Sequence, residues 1–161
     1  MEAWAGGVKM RRIGAGILLA AAALIVWIVP VAHSDYHSTG NPPGPQTGGT
    51  EAQLRTAIQH ASELAAGASS LSGIRTHLQH AINCLEGARG KHFKAAGGDP
   101  CKGMGNGFLA DARGKAGALF LARQANDLAV EAVTTLRDVP TAQAAARSVA
   151  FVLGEAMKLL K

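Results

Sequence analysis

The chain of 161 residues carries 16 Lys+Arg against 11 Asp+Glu, with six histidines, two cysteines, 48% hydrophobic residues and only 4% aromatics. So few rings exclude a core of bulky aromatics, and the net charge of +5 is too small and too scattered for the basic face of a nucleic-acid binder. Part of that charge lies at the N-terminus: without Lys9, Arg11, Arg12 and Glu2, thirteen basic and ten acidic residues remain.

Residues 1–32 read as an export signal rather than as fold. The basic flank "MEAWAGGVKMRR" precedes "IGAGILLAAAALIVWIVPVA", an uncharged apolar run from Ile13 to Ala32. A spanning helix needs ~20 such residues, whereas the apolar part of a cleaved signal has ~7 to 15. The length suits an uncleaved membrane anchor, while Ala32 and Ser34 suit cleavage after Ser34. Both alternatives place the rest of the chain in an extracytoplasmic, periplasmic setting, anchored in the inner membrane or secreted. The membrane is then one partner, through residues 13–32, and a membrane protein is a second; nucleic acid is not expected. Residues 33–50, "HSDYHSTGNPPGPQTGGT", have too little apolar surface to order themselves and read as a flexible Pro/Gly linker.

Helical periodicity begins at Thr50, a candidate cap, and fills residues 51–161. The first helix, about 51–66, carries Leu54, Ile58, Ala61, Leu64 and Ala65 on one face. The second, about 71–86, starts from Ser70 or Ser72 and buries Leu71, Ile74, Leu78, Ala81, Ile82 and Leu85, with Gly87 placed for a C-terminal cap. Residues 88–110 are dense in glycine and lack a period, a length of loop that needs an external constraint. The third helix, about 111–137, takes Asp111 as its cap and Leu121, Ala125, Leu128 and Ala132 as its stripe. Pro140 opens the fourth, about 140–160, where Ala142, Ala146, Val149, Leu153, Ala156 and Leu160 alternate by four and three. No stretch alternates with period two. The expected fold is all-α: a small antiparallel four-helix bundle with one long, disulfide-stapled, Gly-rich loop, preceded by an N-terminal signal or membrane helix.

The staple is expected between Cys84, at the end of the second helix, and Cys101, which follows Pro100 in the loop. Two cysteines in an exported domain of this size form a disulfide. Closing a ring of about eighteen residues contributes ~3 kcal/mol on the chain-entropy account. A thiolate ligand pair is the alternative, disfavoured by an oxidising compartment. The glycines of "GMGNG" at 103–107 serve backbone turns; as a phosphate cradle the string lacks a preceding strand.

"THLQHAINCLEG", residues 76–87, sets His77 and His80 one turn apart on the second helix, near the edge of its buried face. A loop tied to Cys84 must cross this side, and His60 flanks the first helix comparably. Two imidazoles one turn apart suit zinc, copper or nickel, with a third ligand from His60, His92 or Met104; the thioether of Met104 would bias the site toward Cu(I). Haem is disfavoured, since no C-x-x-C-H motif is present. The bland alternative is that these imidazoles hydrogen-bond the loop. No carboxylate pair or nucleophile triad supports an enzyme. His33 and His37 belong to the linker and read as solvent residues.

"HLQHAINCLEG" followed by "DPCKGMGNGFLAD" resembles a set of uncharacterised small exported bacterial proteins sharing H-x-x-H-x-x-N-C and a downstream P-C-x-x-x-G-x-G. The resemblance covers about residues 77–111 and singles out His77, His80, Asn83, Cys84, Pro100, Cys101, Gly105 and Gly107, but implies no activity. "AIQHASELAAG" and "LQHAI" more faintly resemble small periplasmic, histidine-bearing, metal-binding helical proteins, which have far more histidines. The expected function is an exported, non-catalytic helical bundle binding a transition metal (Cu, Zn or Ni) in low stoichiometry through His77, His80 and His60 or Met104. The alternative is a membrane-tethered accessory or interaction module with no metal.

Overall fold

The computed structural model describes residues 48–160, so the expected signal or anchor at 1–32 and the linker as far as residue 47 lie outside the described residues. Helix α1, Thr50–Gln59, runs directly into a π-helical turn, His60–Ala65. It is followed by α2 (Leu71–Glu86), the one-turn α3 (Phe108–Asp111), α4 (Ala116–Thr135) and α5 (Val139–Lys158). A single 3₁₀ turn, Ala95–Gly97, interrupts the loop between α2 and α3. Among the described residues there is no strand, and no helix is long and apolar enough to cross a membrane.

Local chemistry accounts for the helix ends. Ser70 caps α2, its hydroxyl accepting from Gly73 N–H at 3.1 Å. Asp138 caps α5, its carboxylate accepting from Thr141 N–H at 2.8 Å, with a proline in the first turn where a missing N–H costs nothing. Thr50 does not cap α1 as the sequence suggested. Gly49 takes that position without a side-chain bond, and its N–H is tied to Met104 O at 2.9 Å. The last residues of the expected linker are therefore pinned to the loop.

The helices pack as a bundle in which α1 touches α2 and α5, and α4 touches α2 and α5. Leu54, Ile74, Leu78, Leu85, Val149 and Leu153 are fully buried at its centre. The buried residues of α4, which packs on α5 and α2, are alanines apart from Asn126: Ala118, Ala122, Ala125, Ala129 and Ala132. On α5, Ala142, Ala146 and Ala156 are buried with Val149 and Leu153. Of the stripe expected on α4, Ala125 and Ala132 are buried, whereas Leu128 is exposed and Leu121 only half-buried. Close approach of two backbones admits methyl groups and pushes leucines to the rim, an effect of packing that overrides hydrophobicity. On α5 the expected alternation from Ala142 to Ala156 is buried, while Leu160 lies past the helix end and is half-buried.

The expected start of the third helix at Asp111 is also displaced. Asp111 closes α3, and its carboxylate accepts from Asn106 N–H at 2.7 Å, Asn106 Nδ2 at 3.1 Å and Gln53 Nε2 at 2.9 Å. The chain then turns through Gly114, at φ +84°, before α4 begins. Asp111 is a clasp between the loop and α1 rather than a cap.

The long loop is held at several points. Cys84 and Cys101 are disulfide-bonded, with Cα atoms 5.2 Å apart, and both are buried. Gly87, at φ +68°, and Gly107, at φ +100°, cross so closely that a Cβ on Gly107 would lie 2.4 Å from Gly87 N. Immediately afterwards Phe108 inserts fully into the core. A Cys84→Ser/Cys101→Ser variant is predicted to lose about 3 kcal/mol of folding free energy by urea denaturation, because the unfolded chain regains the freedom the cross-link removed. An unchanged midpoint would mean that Phe108 and the loop's hydrogen bonds hold the loop unaided.

Candidate metal centre

His77 and His80 stand three residues apart on α2 and therefore share one face. Packing of α1 on α2 brings His60 to that face. His60 begins the π-helical turn, which is closed by Ala66 N–H to Ala61 O at 3.2 Å. Such widened turns concentrate at functional sites.

The three rings form one cluster. Centroids of His60 and His80 are 4.7 Å apart at an interplanar angle of 82°, those of His77 and His80 5.6 Å apart at 73°, and those of His60 and His77 5.6 Å apart and nearly stacked. One nitrogen of each ring lies within 4.8 Å of the other two, and all three residues are half-buried. Such a set can hold a metal ion.

The 3₁₀ turn lies across this cluster. His80 Nε2–H donates to Gly97 O in a short hydrogen bond. Since a neutral imidazole carries one N–H, Nδ1 of His80 is left with its lone pair and accepts from Nδ1–H of His60 at 3.3 Å; for both nitrogens to bind an ion, His60 would carry its proton on Nε2 instead. His77 Nδ1 is buried with no hydrogen-bond partner. Leaving a buried polar group unsatisfied costs about 1–3 kcal/mol. A backbone carbonyl accepting from the far nitrogen is also the usual way a metal-binding histidine is oriented.

Electrostatics keep the rings ready as ligands. Burial, then the nearby His80 and His77, lower the His60 pKa from 6.5 to about 4. Burial, then His80, lower that of His77. Neutral imidazole is the form that binds metal, so these two rings need lose no proton near neutral pH.

The remaining expected residues have other roles. Met104 rests against α1 with its sulfur 3.9 Å from the Thr56 hydroxyl, and its carbonyl holds Gly49. Its contact at Thr56 lies one turn before His60. His92 turns the other way, Nδ1 meeting Glu86 Oε1 at 2.6 Å while its backbone N–H donates to Glu86 Oε2 at 2.6 Å. Asn126 Nδ2 adds a third donor to Glu86 at 2.8 Å. Despite the burial that opposes it, these contacts lower the Glu86 pKa, so Glu86 and His92 form a structural pair. Pro100 and Gly105 shape the loop, and a Cβ on Gly105 would strike Asp111 and Gln53. Asn83 is fully buried and bonds the loop backbone. Gln79, which sequence reasoning missed, does the same; its only sequence signal is a spacing of four from Asn83.

Comparison with known proteins found no matching family model, no similar curated protein and no similar solved structure.

The depressed His60 value has a consequence for stability. Between pH 6.5 and about 4 the unfolded chain binds the proton that the folded chain refuses, so stability increases with pH across that window. The metal-free protein is predicted to lose on the order of 1–2 kcal/mol as pH falls through it, solvent reaching part of the ring and moderating the effect. His60→Gln should flatten this slope in urea titrations at several pH values; an equal slope in the variant would assign it elsewhere.

Proposed function

We propose that this domain binds one divalent transition-metal ion in tetrahedral geometry, zinc foremost, through His60, His77 and His80, with water in the fourth position. The observation that carries the reading is the cluster itself: one nitrogen of each half-buried imidazole lies within 4.8 Å of the other two. Three histidine nitrogens at roughly 2.0–2.1 Å with a water in the fourth position are a known tetrahedral zinc set, so zinc stands first, with copper and nickel as the other ions to test. Three ligands also fit low stoichiometry rather than bulk storage.

The setting we propose is an antiparallel four-helix bundle outside the cytoplasm, joined through residues 33–50 to a signal or anchor at 13–32. The disulfide supports it, because such bonds persist in oxidising compartments. The apolar run supports it from the sequence.

Purified without a histidine tag, the protein is predicted to take up one equivalent of Zn(II) by calorimetry. At ~100-fold its Kd the ion adds about 2.7 kcal/mol, raising the melting temperature by several degrees. His77→Ala/His80→Ala should abolish both effects. Wild-type protein that shows neither uptake nor a shift with zinc, copper or nickel would end the reading. The second reading, a tethered module that docks a membrane protein, draws on Phe120 and Phe151, which stand 63% and 68% exposed on α4 and α5. A protein that binds no metal would leave that reading in place.

A further inference from the structure

We infer that Asn83 is the positioning residue of this metal centre, acting through a backbone strap that it fastens over His80; the inference rests on the metal-binding reading. The strap is the stretch from His92 to Gly98, which has no regular structure apart from one 3₁₀ turn. Its attachment to α2 is built from side-chain amides. Asn83 Nδ2 donates to Lys94 O at 3.0 Å and to Gly98 O at 2.6 Å, while its Oδ1 accepts from Lys94 N–H at 3.0 Å. Gln79, one turn earlier, donates to Asn83 Oδ1 at 2.9 Å and to His92 O at 2.8 Å.

Every hydrogen-bonding site of the Asn83 amide named here is spent on the strap or on the residue that helps hold it. The side chain has no exposure at all, so none of this capacity is lost to water. The points it grips bracket the Ala95–Gly97 turn, with Lys94 on one side and Gly98 on the other. Between them lies Gly97, whose carbonyl receives His80 Nε2–H. Asn83 thereby sets where that carbonyl stands, the carbonyl sets which nitrogen of His80 carries the proton, and the lone pair is left on Nδ1, facing His60. The hydrogen bonds of the Asn83 amide go to the strap and to Gln79, so its effect on His80 passes through the strap.

Spacing on α2 makes this economical. His80 and Asn83 are separated by three residues and Gln79 and Asn83 by four, so strap grip and ligand project from adjoining positions of one helix. The disulfide from Cys84 then secures the loop just beyond.

The test uses the full chain and two substitutions, with Zn(II) as the probe. Asn83→Asp keeps shape and acceptors but removes both Nδ2 donors and places a carboxylate against two carbonyl oxygens. Gly98→Ala strains the strap at its own backbone and crowds the hydrogen bond it supports: Gly98 is exposed at φ +93°, and a Cβ there would meet His80 Nε2 at 3.2 Å. It serves if the buried substitution prevents folding. Zinc affinity by competition with a chromophoric chelator is read beside the His80 tautomer of the zinc-free protein by long-range 1H–15N NMR. Wild type should bind zinc and show the proton on Nε2. Each folded variant should bind 10–100-fold more weakly, as removal of groups that orient metal ligands typically does, and should show mixed tautomers. Variants that match wild-type affinity and retain the Nε2–H tautomer overturn this inference and leave zinc binding intact. A wild type that binds no zinc overturns the proposed function, and this inference with it.

Discussion

The bond between Cys84 and Cys101 is the constraint on which the rest of the arrangement depends. A loop of more than twenty glycine-rich residues has no apolar periodicity with which to fold itself. The disulfide returns its middle to the last turn of α2, and the close crossing of Gly87 with Gly107 returns its end to the same place. Both ends of the intervening strap are then near the helix that carries His77 and His80, and amide hydrogen bonds from Gln79 and Asn83 can finish the attachment. Without the covalent tie these bonds would have to offset the entropy of the whole loop.

The bundle contributes a different thing, namely rigidity with little bulk. Alanine seams let α4 and α5 approach closely and leave the larger apolar side chains to α1, α2 and the middle of α5. Packing of α1 on α2 is what places His60 beside two imidazoles from a distant part of the chain. Burial there lowers the proton affinity of His60 and His77, so the property that makes these rings poor bases keeps them available as ligands.

Much of this was legible in the residues. The bounds of α2 followed from Ser70, the apolar spacing and Gly87, and the cysteine pairing from the count of two and an export-like start. That His77 and His80 share a face is simple helical arithmetic. On α4 the alanines of the expected stripe, Ala125 and Ala132, are buried while its leucines are not, because a seam lined by methyl groups has no room for the leucines that hydrophobicity alone would put there. Asp111 resembled a cap, since a short acidic residue before a helical stretch suits both a cap and a clasp across the loop. The approach of His60 depends on how α1 lies on α2, which no spacing reveals. His92 was a chemically reasonable ligand, but its contact with Glu86 holds it elsewhere, while the Met104 sulfur meets the Thr56 hydroxyl. Gln79 gave almost no warning, because the groups it holds are backbone carbonyls that carry no side-chain signature.

The central claim is that three imidazoles, oriented by a stapled strap, make one tetrahedral metal centre. X-ray absorption at the zinc edge of the loaded protein addresses it most directly. The account predicts a first shell of about four nitrogen or oxygen atoms at roughly 2.0 Å, with the outer-shell scattering of three imidazole rings and no sulfur. A shell containing sulfur, or fewer than three imidazoles, would contradict it.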